Sequence, residues 1–99
     1  MDDQRPSSLS VFFPAHNEVE SLTPLIEKAV SVVSSIVEDY EIIIVNDGSS
    51  DGTDCLANEL AEKFEHVRVV HHPQNRGYGG ALQSGFRSAE KELIFYTDA

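Results

Sequence analysis

The run Glu41-Ile42-Ile43-Ile44-Val45, cut off at Asn46-Asp47-Gly48, constrains the fold of this chain more than any other stretch. A continuous apolar, β-branched run reads as a strand buried on both faces, the kind found inside a parallel sheet. Parallel strands need long crossover connections, normally helices. The chain supplies them. Leu9–Phe13, Val67–His71 and Leu93–Thr97 read as three further strands. Val19, Leu22, Leu25, Ile26, Ala29, Val30, Val33, Ile36 and Val37 recur at steps of three and four, one face of a long helix with Pro24 in its first turn. A second helix carries Cys55, Leu56, Leu60, Ala61 and Phe64 inward, and a third carries Ala81, Leu82, Gly85, Phe86 and Ala89. The order β-α-β-α-β-α-β predicts an α/β fold, a Rossmann-like parallel sheet covered by helices. Residues 1–8 read as a flexible N-terminus and residues 9–99 as one domain.

Charge removes one class of partner. The formal net charge is −10 and the seven basic residues are scattered, so no basic stripe can follow a nucleic-acid backbone. Ile42–Val45 and Leu93–Tyr96 are too short to cross a bilayer, and residues 1–8 contain no apolar signal segment. Cys55 is the single cysteine, which fits a reducing, cytoplasmic compartment, and its helical position reads as core. His66, His71 and His72 lack zinc-ligand spacing and read as surface or strand-end residues.

Ligands of open α/β sheets gather outside the carboxyl ends of the strands. Pro14–Glu18, Asn46–Thr53, His72–Tyr78 and Asp98–Ala99 must share that rim, and the chain's polar and glycine-rich residues concentrate there. Asn17, with Glu20 three residues on, reads as a helix N-cap. Asp51, Ser50 or Thr53 can cap the second helix. Asp47 comes too early for that. Its carboxylate can close a local Asx-turn, or accept a hydrogen bond from the ring N–H of uracil or guanine. Asn75–Leu82 places three glycines at a helix start, where free N–H groups and Arg76 suit an anion. The final glycine of a dinucleotide fingerprint is missing and the motif follows the third strand, which argues against a dehydrogenase. Gly85 reads as close packing of helix on sheet. Asp98 ends the fourth strand, where a carboxylate suits Mg²⁺ or Mn²⁺.

Ser10–Glu18 (SVFFPAHNE), Glu41–Thr53 (EIIIVNDGSSDGT), Asn75–Phe86 (NRGYGGALQSGF) and Leu93–Ala99 (LIFYTDA) together resemble the amino-terminal half of glycosyltransferase family 2, nearest its polyprenyl-phosphate branch. The resemblance implies the nucleotide-binding half of a GT-A fold, a UDP- or GDP-linked sugar donor, a divalent cation and inversion at the sugar carbon. Pro14, Ala15, His16 and Glu18 correspond to the loop that holds the nucleoside, with His16 where tyrosine often stands. Val45 and Asp47 match the base-reading positions, and Asn46 stands where many members have aspartate. Gly77 falls in the diphosphate-side loop. Asp98 and Ala99 match the first two positions of the D-x-D motif, with Asp98 as metal ligand. The catalytic base is expected beyond residue 99, so these residues alone are expected to be inactive, a truncation or remnant of a longer chain. The acceptor implied is a lipid phosphate at a membrane surface. A homodimer through the edge of the fourth strand is a further expectation. The competing reading, a non-catalytic flavodoxin-like module, needs acids at the ends of the first and third strands.

Overall fold

The computed structural model describes residues 7–97. The elements run β1 (Ser8–Ala15), α1 (Leu22–Ser34), β2 (Asp39–Asp47), α2 (Thr53–Lys63), β3 (Val67–His72), α3 (Gly77–Ser88) and β4 (Leu93–Tyr96). All pairings are parallel, in the order β3-β2-β1-β4. The Rossmann-like architecture expected from the alternation of periods is therefore present. Chain direction across the sheet reverses beside β1, which makes the gap between β1 and β4 the topological switch point.

Ile42, Ile43, Ile44 and Val45 are each 0% exposed, which is why the run shows no polar alternation. Ile42 and Ile44 pack with Val11, Phe13, Leu22 and Ile26 on the α1–α2 face, whereas Ile43 and Val45 pack with Phe12 and Ala81 under α3. Full burial of a side chain of this size contributes about 1.5–3 kcal/mol. β1 runs two residues further than the sequence suggests and includes Pro14. Phe12 C=O accepts from Thr97 N–H, so the N–H that Pro14 lacks would point to the same side, past the end of β4. No ladder bond is lost there.

The helices depart from expectation in four places. α1 begins at Leu22, with Ser21 as its cap residue, so Asn17 is not a helix cap. It also stops at Ser34, and Ile36, expected inward, is 43% exposed. Cys55 is exposed, not core. The inward face of α2 is set by Thr53, Ala57 and Leu60, and Cys55 lies two residues from that stripe, nearly opposite on the helix. Phe86 is 46% exposed, its ring edge-on to Phe12 and Tyr96.

β4 is an edge strand of the described sheet. Leu93 and Phe95 are exposed there beside Val32 and Ile36, in an apolar groove of about 460 Å³. The turn between α3 and β4 is anchored at the amino ends of the strands by buried Glu41. Ser10 Oγ–H and Glu90 N–H donate to its Oε2 at 2.6 and 2.8 Å, and Arg68 Nε–H to its Oε1 at 2.9 Å. Arg68 also donates to Ser88 C=O. Burial pushes the Glu41 carboxyl up, but these bonds and the Arg68 charge outweigh it and hold the group below its ordinary range. This clamp sets β4 against β1.

Candidate functional site

At the carboxyl ends of the strands a cleft of about 310 Å³ is lined by Pro14, Ala15, His16, Glu18, Asp47, Asn75, Gly77, Tyr78 and Ala81. Six of these were expected from the sequence: Pro14, Ala15, His16, Glu18, Asp47 and Gly77. Val45 is not among them. It is wholly buried beneath α3, one residue below the rim, so its side chain cannot read a base. Asp98 and Ala99 lie outside the described residues. Asn75 and Tyr78 had no individual signal beyond their place in the third rim loop, and Ala81 was expected only as an inward residue of the third helix.

Two rim loops are zipped together. Asn17, with φ 55°, accepts Ser50 N–H on Oδ1 at 2.8 Å, and its own N–H donates to Ser49 Oγ at 3.0 Å. Glu18 N–H donates to Thr53 Oγ1 at 2.9 Å, and Thr53 Oγ1–H donates to Asp51 Oδ1. Asp51 Oδ1 also accepts Thr53 N–H at 3.0 Å, which satisfies an orphan donor of α2, but the cap position itself is Gly52 and not Ser50, Asp51 or Thr53 as expected. The Thr53 bond is the largest influence holding the Asp51 carboxyl low. The third loop joins through Gly48, where φ is +65° and a Cβ would sit 2.3 Å from Asn75 N. Only glycine permits both the angle and the approach.

Asp47 is the centre of this assembly, and it is 4% exposed. Its carbonyl accepts His16 Nδ1–H at 2.7 Å. Its Oδ1 accepts Arg76 N–H and His72 Nδ1–H, each at 2.8 Å. The Arg76 bond spans two loops, so Asp47 takes up an orphan donor at the start of α3 rather than closing an Asx-turn. Burial pushes its carboxyl up, yet the Arg76 N–H, the His72 ring and the Gly77 N–H together hold it below the ordinary range. It is a carboxylate at neutral pH. Both short side-chain contacts fall on Oδ1, which leaves Oδ2 outside them. An anionic acceptor oxygen at a cleft wall discriminates for N–H donors and against ring acceptors.

His72, read from sequence as a surface or strand-end residue, does end β3, but its side chain is 2% exposed. Nothing local marks it. Its significance comes from register, because Asp47 pairs with His72 across β2 and β3. Asn46 turns to the other face, with Nδ2 on His71 Nδ1 at 3.0 Å and Oδ1 buried without a partner. Arg76 and Gly77 open α3 with their N–H groups on the cleft side, and Gly77 N–H donates to Asn75 Oδ1 at 2.6 Å. Among the described residues no group of three or more His, Cys, Asp or Glu could hold a metal ion.

A parallel sheet covered by helices on both faces, with a cleft at the carboxyl ends of its strands, is the arrangement in which open α/β domains hold their ligands. Residues 10–99 match "Glycosyl transferase family 2", and the chain belongs to that family. It is 35% identical to the human dolichyl-phosphate beta-glucosyltransferase over 98% of this chain and 32% of that protein. It is 33% identical to the undecaprenyl-phosphate 4-deoxy-4-formamido-L-arabinose transferase of Proteus mirabilis over 97% of this chain and 30% of that protein. The chain thus spans about 30% of the length of the curated relatives it matches. Among solved structures, a mannosyltransferase of Pyrobaculum calidifontis in complex with GDP-Man and Mn²⁺ matches 95% of the chain at 28% identity, with TM-score 0.74 and 27% of that protein covered. S. aureus TarS in complex with UDP has the same fold, with TM-score 0.76 at 22% identity over 92% of the chain and 27% of that structure. Family membership sets aside the flavodoxin-like alternative. No helix among the described residues is long and apolar enough to cross a membrane.

Proposed function

We propose that these residues form the donor-nucleotide portion of an inverting, metal-dependent glycosyltransferase that uses a UDP- or GDP-linked sugar and delivers it to a polyprenyl phosphate. One observation carries the reading. Asp47 ends the buried run of β2, is held ionised, and stands in the wall of the cleft at the carboxyl ends of β1 and β2. Its Oδ2, which neither the Arg76 nor the His72 bond uses, suits uracil N3–H or guanine N1–H, and the corresponding ring nitrogens of cytosine and adenine are acceptors themselves. Pro14, Ala15 and His16 then flank the base, and the start of α3 at Gly77 faces the diphosphate, where the positive end of the helix dipole favours negative charge. Relatives named as dolichyl- and undecaprenyl-phosphate transferases support the acceptor class.

Mg²⁺ or Mn²⁺ enters this reading through Asp98 alone, since the described residues offer no metal cluster. The neighbour solved with GDP-Man and Mn²⁺ supports it. An acceptor-activating base is not among the residues assigned here, and a lipid phosphate acceptor is already ionised. The uncovered β4 edge, with Leu93 and Phe95 beside it, is where a second copy of this chain would pair. Sedimentation of the 99-residue chain as a monomer at every concentration removes that partner.

Calorimetry and thermal shift with UDP, GDP, CDP and ADP, each with and without Mn²⁺, test the reading. UDP or GDP raises the melting temperature and CDP and ADP do not, and Asp47→Ala abolishes the shift. An unchanged melt with every nucleoside diphosphate overturns it.

A further inference from the structure

We infer that His72 is a positioning residue for nucleotide recognition, a buried imidazole that holds the Asp47 carboxylate in its base-reading orientation and ties it to α3 through Ser84. The inference rests on the donor-nucleotide reading above and extends it to a residue that lies outside the cleft lining.

The geometry is a chain of three side chains. His72 Nδ1 lies 2.8 Å from Asp47 Oδ1, and His72 Nε2 lies 2.6 Å from Ser84 Oγ. A carboxylate can only accept, so Nδ1 carries the hydrogen and donates to Asp47. The Ser84 hydroxyl then donates to Nε2 in the neutral ring, or accepts from it in the charged one. Either state leaves the ring without freedom to turn. Sequence separation makes the arrangement tertiary: Asp47 ends β2, His72 ends β3 and Ser84 sits mid-way along α3. A second imidazole, His16, holds the Asp47 carbonyl from the opposite loop at 2.7 Å. Asp47 is therefore gripped at its backbone and at one carboxylate oxygen. A carboxylate with Oδ1 fixed has Oδ2 fixed as well, and the acceptor direction offered to a base is then set before the ligand arrives. Preorganisation of this kind saves the ordering cost on binding.

The same three residue types in the same order form a nucleophile–base–acid triad in hydrolases. That role does not fit. Ser84 does not line the cleft, and His72 is buried from it, so no substrate carbonyl can reach the hydroxyl there. A bland packing role is the serious alternative. It predicts that shape alone matters, whereas positioning predicts that the Nδ1 donor matters.

Asparagine and glutamine separate the two. His72→Asn keeps an N–H donor near the place of Nδ1, and His72→Gln moves it to the place of Nε2. The expected result is that His72→Gln weakens UDP or GDP binding to the 99-residue chain about tenfold or more, and His72→Asn restores most of it. In ¹³C NMR the Asp47 carboxyl resonance shifts in His72→Gln and stays near its parent position in His72→Asn. Long-range ¹⁵N spectra of the parent chain place a hydrogen on His72 Nδ1. Equal loss in both variants, an unmoved Asp47 resonance in His72→Gln, or a His72 ring protonated only on Nε2 overturns the inference. If His72→Gln does not fold, Ser84→Ala and the parent ¹⁵N spectrum decide: a shifted Asp47 resonance with Nδ1 protonated supports positioning. If the parent binds neither UDP nor GDP while the Asp47 resonance still follows the donor, the donor-nucleotide reading fails and the tie between His72 and Asp47 stands.

Discussion

Gly48 and Asn75 touch through their backbones across two loops: a Cβ on Gly48 would lie 2.3 Å from Asn75 N and 2.6 Å from Gln74 C. The next residue after Asn75 is Arg76, whose N–H holds Asp47. The β2–α2 turn and the start of α3 are thus set by one glycine. Gly48→Ala combines a positive-φ penalty with a backbone clash, so a loss of more than about 1 kcal/mol is expected. Urea unfolding checks the stability, and calorimetry with UDP or GDP checks that binding falls with it. A variant as stable as the parent would mean the loops separate without cost.

Gly85 makes the corresponding approach beneath α3, where a Cβ would meet Phe12 Cδ1 at 2.2 Å. Phe12 is 0% exposed and stacks on Tyr96 of β4, so it cannot swing aside. Gly85→Ala is expected to cost about 1–3 kcal/mol by overpacking. Phe12→Leu in the same chain relieves part of that, and a double-mutant cycle reads the coupling. Strict additivity of the two changes rules the contact out as the cause.

The strands were legible because the signal for them is local. Ile42–Val45 is buried on both faces, and a run without alternation says so directly. Asp47 was legible for the same reason, as the first polar pair's second member after such a run. His72 was not, because its role arises from the Asp47–His72 register and from α3 closing over it, neither of which is written near position 72. Asn17 was misread for a related reason. A cap and a loop-to-loop tie use the same side chain, and the partner, Ser50, is far away in sequence. Cys55 was misread because small residues, Thr53 and Ala57, turned out to face the sheet, and hydrophobicity alone does not rank them above a cysteine.

Cys55 gives a direct chemical check on that correction. An exposed thiol reacts with a disulfide reagent in the native protein as fast as in the unfolded chain, within a few-fold. Cys55→Ser should change stability by no more than about 0.5 kcal/mol. Slow labelling that requires unfolding would return Cys55 to the core.

Glu41 carries the pH dependence that geometry predicts most firmly. Its carboxyl is held below the ordinary value of 4.5 in the folded chain, burial opposing and Ser10, Glu90 N–H and Arg68 prevailing. A depressed carboxyl binds fewer protons folded than unfolded between its two pKa values, so its contribution is present above pH 4.5 and disappears as pH falls below it. Glu41→Gln removes the charge yet keeps the shape, and leaves Arg68 without its carboxylate. At pH 7 the variant should be less stable by about 2 kcal/mol, on the order expected for hydrogen bonds to a charged group. Thermal melts from pH 7 down to pH 3 should show the two proteins converging on the acid side. A difference that stays constant across that range would mean the Glu41 contribution is packing and not charge.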